Sequence, residues 1–434
     1  MVAVSWRQWT QQIIAFCGVF VAAPVAGEEP AFDRSLSTPG SRFLIDEPAS
    51  PGPALLLFGD SLPFEIEASL VLDGSQRISG GRPGRRNVVR NLFELSLSAP
   101  TEPLIGWEGG SFQVTFQNQA GRNGSDMIGD LQGFSNIDSD GRTQISEVWI
   151  RQTFGDGRWR LRIGKIDANS QFAFVEHGQA FLNSSMGVSP TIFTMPTYPN
   201  PAFGATAFFQ PDMGFYAGLG LFDGAGVLGI PTGSRGLDSL LQGSRFFLIG
   251  ETGLRWDLAT DAEPGEPQFP GRLGVGAWHH NGSFARFDGS LQSGTGGLFV
   301  VLDQLVLRES LDETGQQGVG VFAQYGSSHP DVSAIEHHLG AGATVTGLVP
   351  RRDADRMGLG LSLALLSDQA GAAFHDDFEL AAELFYEAHL CDRASLVLDL
   401  QHITNPGGDG TTPDAVVGTV RFVLTGALSD VFTP

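Results

Sequence analysis

Short segments in which apolar and polar residues alternate recur along this chain from about residue 64 onward. In the first part of the chain, every second position is apolar in residues 93–98, 112–117, 148–151 and 159–164. Near the C-terminus, the same alternation occupies residues 357–365, 378–387, 396–401 and 416–424. A period of two is typical of β-strands that present two different faces. The pattern therefore predicts an all-β protein.

The length of these segments indicates a transmembrane antiparallel β-barrel. Alternation over about 8–10 residues matches the roughly 9–11 residues of a tilted strand that crosses a bilayer. The polar faces carry Arg and Glu in mid-strand, which suits a water-filled lumen. At about 20–25 residues for each strand and connection, residues 64–434 hold about 16 strands, an even number that closes a barrel. A secreted β-sandwich or propeller is the alternative on pattern alone, although no blade-like repeat is visible.

The N-terminus has the composition of a secretory signal peptide over residues 1–27. Arg7 supplies its positive charge, residues 13–25 its apolar stretch, and Val25-Ala26-Gly27 a small-residue cleavage site. Residues 28–63 are rich in Pro, Ser and Gly without a sustained period. They are predicted to form a periplasmic lead-in before a porin domain of residues 64–434.

The charge balance excludes one class of partner. The chain has 26 Lys and Arg residues against 48 Asp and Glu residues, a formal net charge of −22. Such a chain repels phosphate backbones, so no nucleic acid partner is expected. The same balance predicts that anionic solutes are disfavoured, unless arginines dominate at the narrowest point of a pore.

Five sequence blocks carry a resemblance to a known family. They are IGDLQGFSNI (128–137), QISEVW (144–149), RLRIGKIDANSQF (160–172), FLNSSMG (181–187) and DLQHITNPGG (399–408). The series resembles the carbohydrate-selective porins typified by OprB, over about residues 88–424. The resemblance implies a sixteen-stranded pore in the outer membrane of a Gram-negative-type cell, through which small sugars diffuse passively. It implies neither an enzyme nor a cofactor.

The same resemblance suggests the partners of the protein. Carbohydrate solutes would pass through the pore, outer-membrane lipid would surround it, and barrel-insertion machinery would place it. The family usually ends on an aromatic residue that this machinery favours, whereas here a tail, residues 426–434, holds Phe432 and ends in Pro. A homo-oligomer is one option for the assembly. The alternative function is a barrel with an anchoring or receptor role and no sugar preference.

We expect a sugar-selective channel to be lined by planar hydrogen-bonding groups and some aromatic surface, because these bind vicinal hydroxyls and pyranose faces. The predicted channel-lining residues lie on the polar faces of strands or directly follow one. They are Glu147, Trp149, Arg151, Arg160, Arg162, Asp167, Asn169, Glu379 and Glu383. The alternative is that they are ordinary solvated lumen residues.

Three finer expectations concern individual residues and segments. Trp149 is unusual on a polar face and is expected to contact sugar, with an interfacial aromatic belt as its alternative. Glu379 and Glu383 share a strand face with Glu387 and either pair with arginines across the lumen or form a plain acidic lining. The Pro- and Phe-containing residues 171–215 are expected to contain a long connection that folds inward as a constriction loop and either narrows or plugs the bore.

Two metal motifs are rejected on local grounds. Residues 136–147 place Asp138, Asp140 and Glu147 at EF-hand spacing, but the flanks are strands rather than helices. The alternative that some of these carboxylates bind Ca²⁺ within a loop is retained. The adjacent pairs His279-His280 and His337-His338 point to opposite faces of a strand and cannot easily chelate one ion. No metal site is predicted.

Overall fold

The computed structural model describes residues 64–211, 214–224, 245–258, 269–308, 317–369 and 371–427. The predicted signal peptide, the lead-in and residues 428–434 of the C-terminal tail lie outside these ranges. Within them, no helix combines the length and the apolar character needed to cross a bilayer.

Sixteen strands, counted within the described ranges, form one closed sheet in which each strand pairs antiparallel with its sequence neighbours and β1 pairs with β16. The strands are β1 Glu65–Ser79, β2 Asn87–Pro100, β3 Gly110–Gly121, β4 Arg142–Phe154, β5 Trp159–Ile166, β6 Ala202–Phe209, β7 Phe215–Asp223, β8 Phe246–Asp257, β9 Pro270–Ala285, β10 Leu291–Arg308, β11 Gly318–Ser328, β12 Ile335–Thr346, β13 Arg356–Leu366, β14 Phe378–Cys391, β15 Ala394–Thr404 and β16 Ala415–Ala427. The prediction of an antiparallel barrel with about 16 strands is confirmed.

Short helical turns occur only in the connections that the structure describes. The α-helical turns are Glu102–Ile105, Ser125–Ile128 and Ser184–Gly187, and the 3-10 turns are His177–Ala180 and Pro406–Gly408.

The two faces of each strand differ as the alternation predicts. On β13, Leu359 and Leu361 point outward and are more than half exposed, while Ser362 points inward and is fully covered. On β14, outward Leu384 is 55% exposed and inward Glu383 only 1%. An apolar outer surface around a polar interior is the arrangement of a transmembrane barrel rather than of a soluble one.

The barrel has two unlike ends. Connections 155–158 and 392–393 lie at one end, the short-turn end, and connections 122–141 and 167–201 lie at the other, the long-loop end. Trp159 lies near the short-turn end, where its ring is stacked on Phe154 at 6.2 Å and lies at a tilt 4.6 Å from Phe209. Aromatic clusters at this level are typical of the girdle where a barrel meets the lipid interface.

Introducing a charged residue on the outer face tests whether that face contacts the hydrocarbon of a membrane. We expect Leu361→Arg, in the middle of β13, to lower the free energy of unfolding by about 2–4 kcal/mol, because it moves a guanidinium into hydrocarbon. His402→Arg, also outward but near the long-loop end, should cost about 0–1 kcal/mol. Urea unfolding in lipid vesicles measures both, and equal losses would contradict a membrane-facing outer surface.

Two long connections fold into the barrel. The segment between β5 and β6, residues 167–201, is called the long insert, and the segment between β3 and β4, residues 122–141, the short insert. The inward connection predicted within residues 171–215 is the part of the long insert up to residue 201, and the rest of that segment includes β6.

Candidate functional site

The long insert is packed onto the inner wall by a large apolar cluster. Phe172 and Phe181 of the insert are at most 1% exposed, and the Phe181 ring lies 5.0 Å from Phe385 and 5.5 Å from Phe322. The Phe172 ring lies 4.9 Å from Phe208 of β6. Burial of these rings contributes about 1.5–3 kcal/mol each, so the insert is a fixed part of the interior.

Inward-facing glycines of the wall make room for the long insert. A Cβ at Gly320 would lie 2.1 Å from the imidazole of His177, and one at Gly326 would lie 2.1 Å from the hydroxyl of Ser189. A Cβ at Gly360 would lie 2.9 Å from the Phe181 ring. Glycine on these strand faces therefore permits close approach of the insert, which is a known use of glycine inside strands.

Wall carboxylates bind the backbone of the long insert. The Glu383 carboxylate accepts hydrogen bonds from the backbone N–H groups of Leu182 and Asn183, at 2.5 and 2.9 Å. Glu251 accepts one from the Ala173 N–H at 2.7 Å, and Asp303 accepts one from the His177 N–H at 3.1 Å. Irregular backbone inside a barrel needs such partners, because it has no ladder of its own.

The short insert is held in the same way. Glu379 accepts hydrogen bonds from the N–H groups of Leu131 and Gln132, and from Gly407 in the β15–β16 connection. Ser135 donates its hydroxyl to Asp73 at 2.9 Å. The insert therefore lies against the wall formed by β13 to β16 and β1.

Two predicted channel-lining residues are consequently corrected. Glu379 is 0% and Glu383 1% exposed, and both carboxylates face backbone N–H groups of inserted segments. They neither line open channel nor pair with arginines across the lumen. Sequence placed them on the inward face correctly, but it could not reveal that the inserts cover that face. Glu387, on the same face, forms an ion pair with Arg356 at 2.7 Å.

The three predicted arginines gather near the short-turn end of β4 and β5. Arg151 and Arg162 are opposite one another in the β4–β5 register, and Arg160 is opposite Phe208 of β6. All three arginines are half-buried. Arg255 of β8 and Arg272 of β9 are also opposite one another near the same end. We call these five side chains the arginine arc: Arg151, Arg160, Arg162, Arg255 and Arg272.

Aromatic rings support the arc. The Arg162 guanidinium lies 3.9 Å from the centre of the Trp149 ring, and the Arg160 guanidinium lies 4.9 Å from that of Phe208. Trp149 itself is only 7% exposed. It therefore offers little surface for stacking on a sugar, contrary to expectation, and instead serves as a cation–π platform that orients Arg162. It also lies inside the barrel, which excludes the interfacial belt.

The second half of the arc was missed from sequence. The Arg272 guanidinium forms an ion pair with Glu251 and donates hydrogen bonds to the Tyr216 hydroxyl at 2.9 Å and to the Phe174 carbonyl at 2.7 Å. The Arg255 guanidinium lies 5.2 Å from the Tyr216 ring centre. Glu251 and Arg255 lie four residues apart on one face of β8, and this spacing could have identified both as inward-facing. Their partners lie on other strands, so the sequence could not show that these residues come together.

Asp167 and Asn169 follow the end of β5, as predicted, and shape the start of the long insert. Asp167 accepts hydrogen bonds from the N–H groups of Asn169 and Tyr198, at 2.9 and 3.0 Å. Its own N–H donates to Glu147 at 3.0 Å. Burial raises the pKa of the Asp167 carboxyl above its ordinary range. These residues fix where the insert leaves the wall.

Asp138 and Glu147, two carboxylates of the rejected EF-hand motif, have other partners. Asp138 lies 2.8 Å from the Arg90 guanidinium and accepts a hydrogen bond from the Gly124 N–H at 3.1 Å. Glu147 belongs to β4. Among the described residues, no group of three or more His, Cys, Asp or Glu side chains is arranged to hold a metal ion.

A closed antiparallel barrel with an apolar exterior and connections folded into its interior is typical of the porin class of membrane channels. The family model for the carbohydrate-selective porins, the OprB family, matches residues 89–425. This chain belongs to that family. It is accordingly an outer-membrane sugar porin, and both its family and its fold point to a channel.

Individual relatives agree with the family. Porin B of Pseudomonas aeruginosa is 23% identical over 430 residues, covering 88% of this chain and 91% of that protein. The high-pH structure of Pseudomonas putida OprB has a TM-score of 0.71 at 18% identity, covering 84% of this chain and 94% of that one. The low-pH structure of the same protein has a TM-score of 0.53 at 15% identity, covering 84% and 93%. These structures share the fold.

Proposed function

We propose that the arginine arc is the constriction at which small neutral sugars, such as monosaccharides, are selected. The observation that supports it is a difference in the exposed fraction of the inward-facing side chains. The wall carboxylates Glu251, Glu379 and Glu383 are at most 3% exposed, whereas Arg151, Arg160 and Arg162 keep open surface in the lumen. A permeating solute therefore meets guanidinium groups rather than those carboxylates.

The chemistry of the arc suits a polyhydroxylated solute. A guanidinium presents several N–H donors in a rigid fork, which matches two neighbouring hydroxyl oxygens of a pyranose. Trp149 and Phe208 hold two of these forks in place, so little side-chain entropy is lost on contact. An amino acid of similar size has fewer hydroxyls to satisfy the arc, and we expect it to pass more slowly.

The remaining predicted residues have supporting roles in this proposal. Glu147, Asp167 and Asn169 position the long insert beside the arc, and Trp149 positions Arg162. We infer from the apolar outer face that outer-membrane lipid surrounds the barrel. Insertion by the barrel-insertion machinery and assembly as a homo-oligomer follow from the resemblance alone and remain expectations.

Swelling of liposomes tests the proposal directly. In isotonic glucose, we expect faster swelling than in an amino acid of matched size, and Arg162→Gln should reduce the ratio of the two rates about threefold to tenfold, the effect of roughly one hydrogen bond. Arg393→Gln, in the short β14–β15 turn, is the matched control and should leave the ratio unchanged.

Two results would count against the proposal. An unchanged ratio in Arg162→Gln would remove the arc as the selective element while leaving the pore intact. No swelling in any solute, from protein that still shows heat-modifiable migration as a folded barrel, would favour the anchoring or receptor alternative.

A further inference from the structure

Glu176 of the long insert has an exposed carboxylate, unlike the buried wall carboxylates that bind this insert. Glu176 is the one acidic residue of this insert after Asp167, and the insert holds no Lys or Arg. Its neighbours Val175 and Gly178 are buried, yet the Glu176 side chain is exposed to the lumen. Its carboxylate takes part in none of the hydrogen bonds or ion pairs found among the described residues. Glu251, Asp303 and Glu383, by contrast, are all bound to backbone N–H groups.

The charged groups near Glu176 belong to the arc and its surroundings. The Glu176 carboxyl interacts electrostatically with Arg255 of β8, Arg272 of β9 and Asp303 of β10. The next residue, His177, lies 3.3 Å from the Thr344 hydroxyl of β12, and Arg356 of β13 acts on its imidazole. Glu176 is thus an open acceptor on the insert, set near guanidinium donors on the wall.

We propose that Glu176 is a specificity-determining residue of the pore, which accepts hydrogen bonds from sugar hydroxyls while Arg255 donates to the same sugar from the wall. The inference rests on the proposed function of the arginine arc and adds the acceptor that the arc lacks. A sugar hydroxyl is both a donor and an acceptor, so a constriction of guanidiniums alone satisfies only half of its hydrogen bonds. A carboxylate near them satisfies the other half.

Because the Glu176 side chain is exposed in the lumen near the arc, its charge contributes to the charge selectivity of the pore. Crowding by protein atoms, together with the Asp303 carboxylate, raises the pKa of Glu176 to about 7, although Arg272 and Arg255 oppose the rise. Below this pH the carboxyl is neutral and the arc favours anions. Above it, the carboxylate offsets part of the arginine charge. Burial lowers the pKa of His177 to about 4, so the imidazole stays neutral throughout this range.

Sugar binding is the first test. Titration of glucose into planar bilayers, with block of the ion current as readout, should give an affinity about threefold to tenfold weaker in Glu176→Gln than in the unmodified protein. Glu102→Gln, an exposed residue of the β2–β3 turn, is the matched control and should leave the affinity unchanged. An unchanged affinity in Glu176→Gln, with glucose still blocking and permeating, overturns the inference but not the proposed function.

Charge selectivity is the second test. The reversal potential across a salt gradient should show an anion-to-cation permeability ratio that falls about twofold to fivefold between pH 5.5 and 8.5. In Glu176→Gln the ratio should be high and nearly constant. If the pH dependence persists in Glu176→Gln but vanishes in Asp303→Asn, the titrating group is Asp303 of β10, and the inference is overturned.

Discussion

Replacing Arg421 with Met is expected to lower the free energy of unfolding by about 3–5 kcal/mol, because it leaves a buried carboxylate without its main partner. The Arg421 guanidinium donates two hydrogen bonds to Asp73, at 2.7 and 2.9 Å, and the two residues are 3% and 1% exposed. They are also opposite one another between β1 and β16, the strand pair that closes the barrel. Their ion pair therefore stabilises the closure between the first and last strands.

A second cross-strand pair provides the control. Arg356 and Glu387 are opposite one another between β13 and β14, with side chains 31% and 16% exposed. Arg356→Met should cost only about 0–1 kcal/mol, since water screens this pair. Urea unfolding in vesicles, followed by tryptophan fluorescence, measures both variants.

The double variant separates the ion pair from the loss of either residue. Asp73→Asn combined with Arg421→Met should cost less than the two single changes added together, because neither charge is then left alone. Strict additivity, or equal losses for Arg421→Met and Arg356→Met, would contradict the assigned role of the closing pair.

Replacing Glu383 with Ala should free the long insert and change the conductance of the pore. The variant removes the acceptor for two backbone N–H groups, each worth about 1.5–3 kcal/mol when the partner is charged. Single-channel recordings in planar bilayers should then show noisier current with added substates of larger conductance, because residues 182–183 no longer stay on the wall.

The control for this experiment is Asp288→Ala, in the exposed β9–β10 turn at the long-loop end. It removes a carboxylate that binds neither insert, so its recordings should match those of the unmodified protein. Heat-modifiable migration confirms that each variant is folded. If folded Glu383→Ala conducts as steadily as the control, the carboxylate does not hold the insert.

Much of the barrel was determined by the sequence alone. The period of two in segments such as 357–365 and 378–387 predicts strands with one apolar and one polar face, and the length of residues 64–434 predicts about 16 of them. The inward direction of Arg151, Arg162 and Glu383 follows from the same parity, since successive side chains of a strand alternate between faces. The motifs around residues 128–187 identified the family.

The tertiary structure decided which inward residues meet the channel. Glu383 and Arg162 have the same kind of position in sequence, yet packing of the long insert buries the first completely and the second only in part. Trp149 was expected to contact sugar, but Arg162 lies over its ring. These outcomes depend on where residues 167–201 fold, and the insert has no period from which its path can be read. Parity fixes the face of a strand residue, whereas its coverage depends on distant segments that pack against that face.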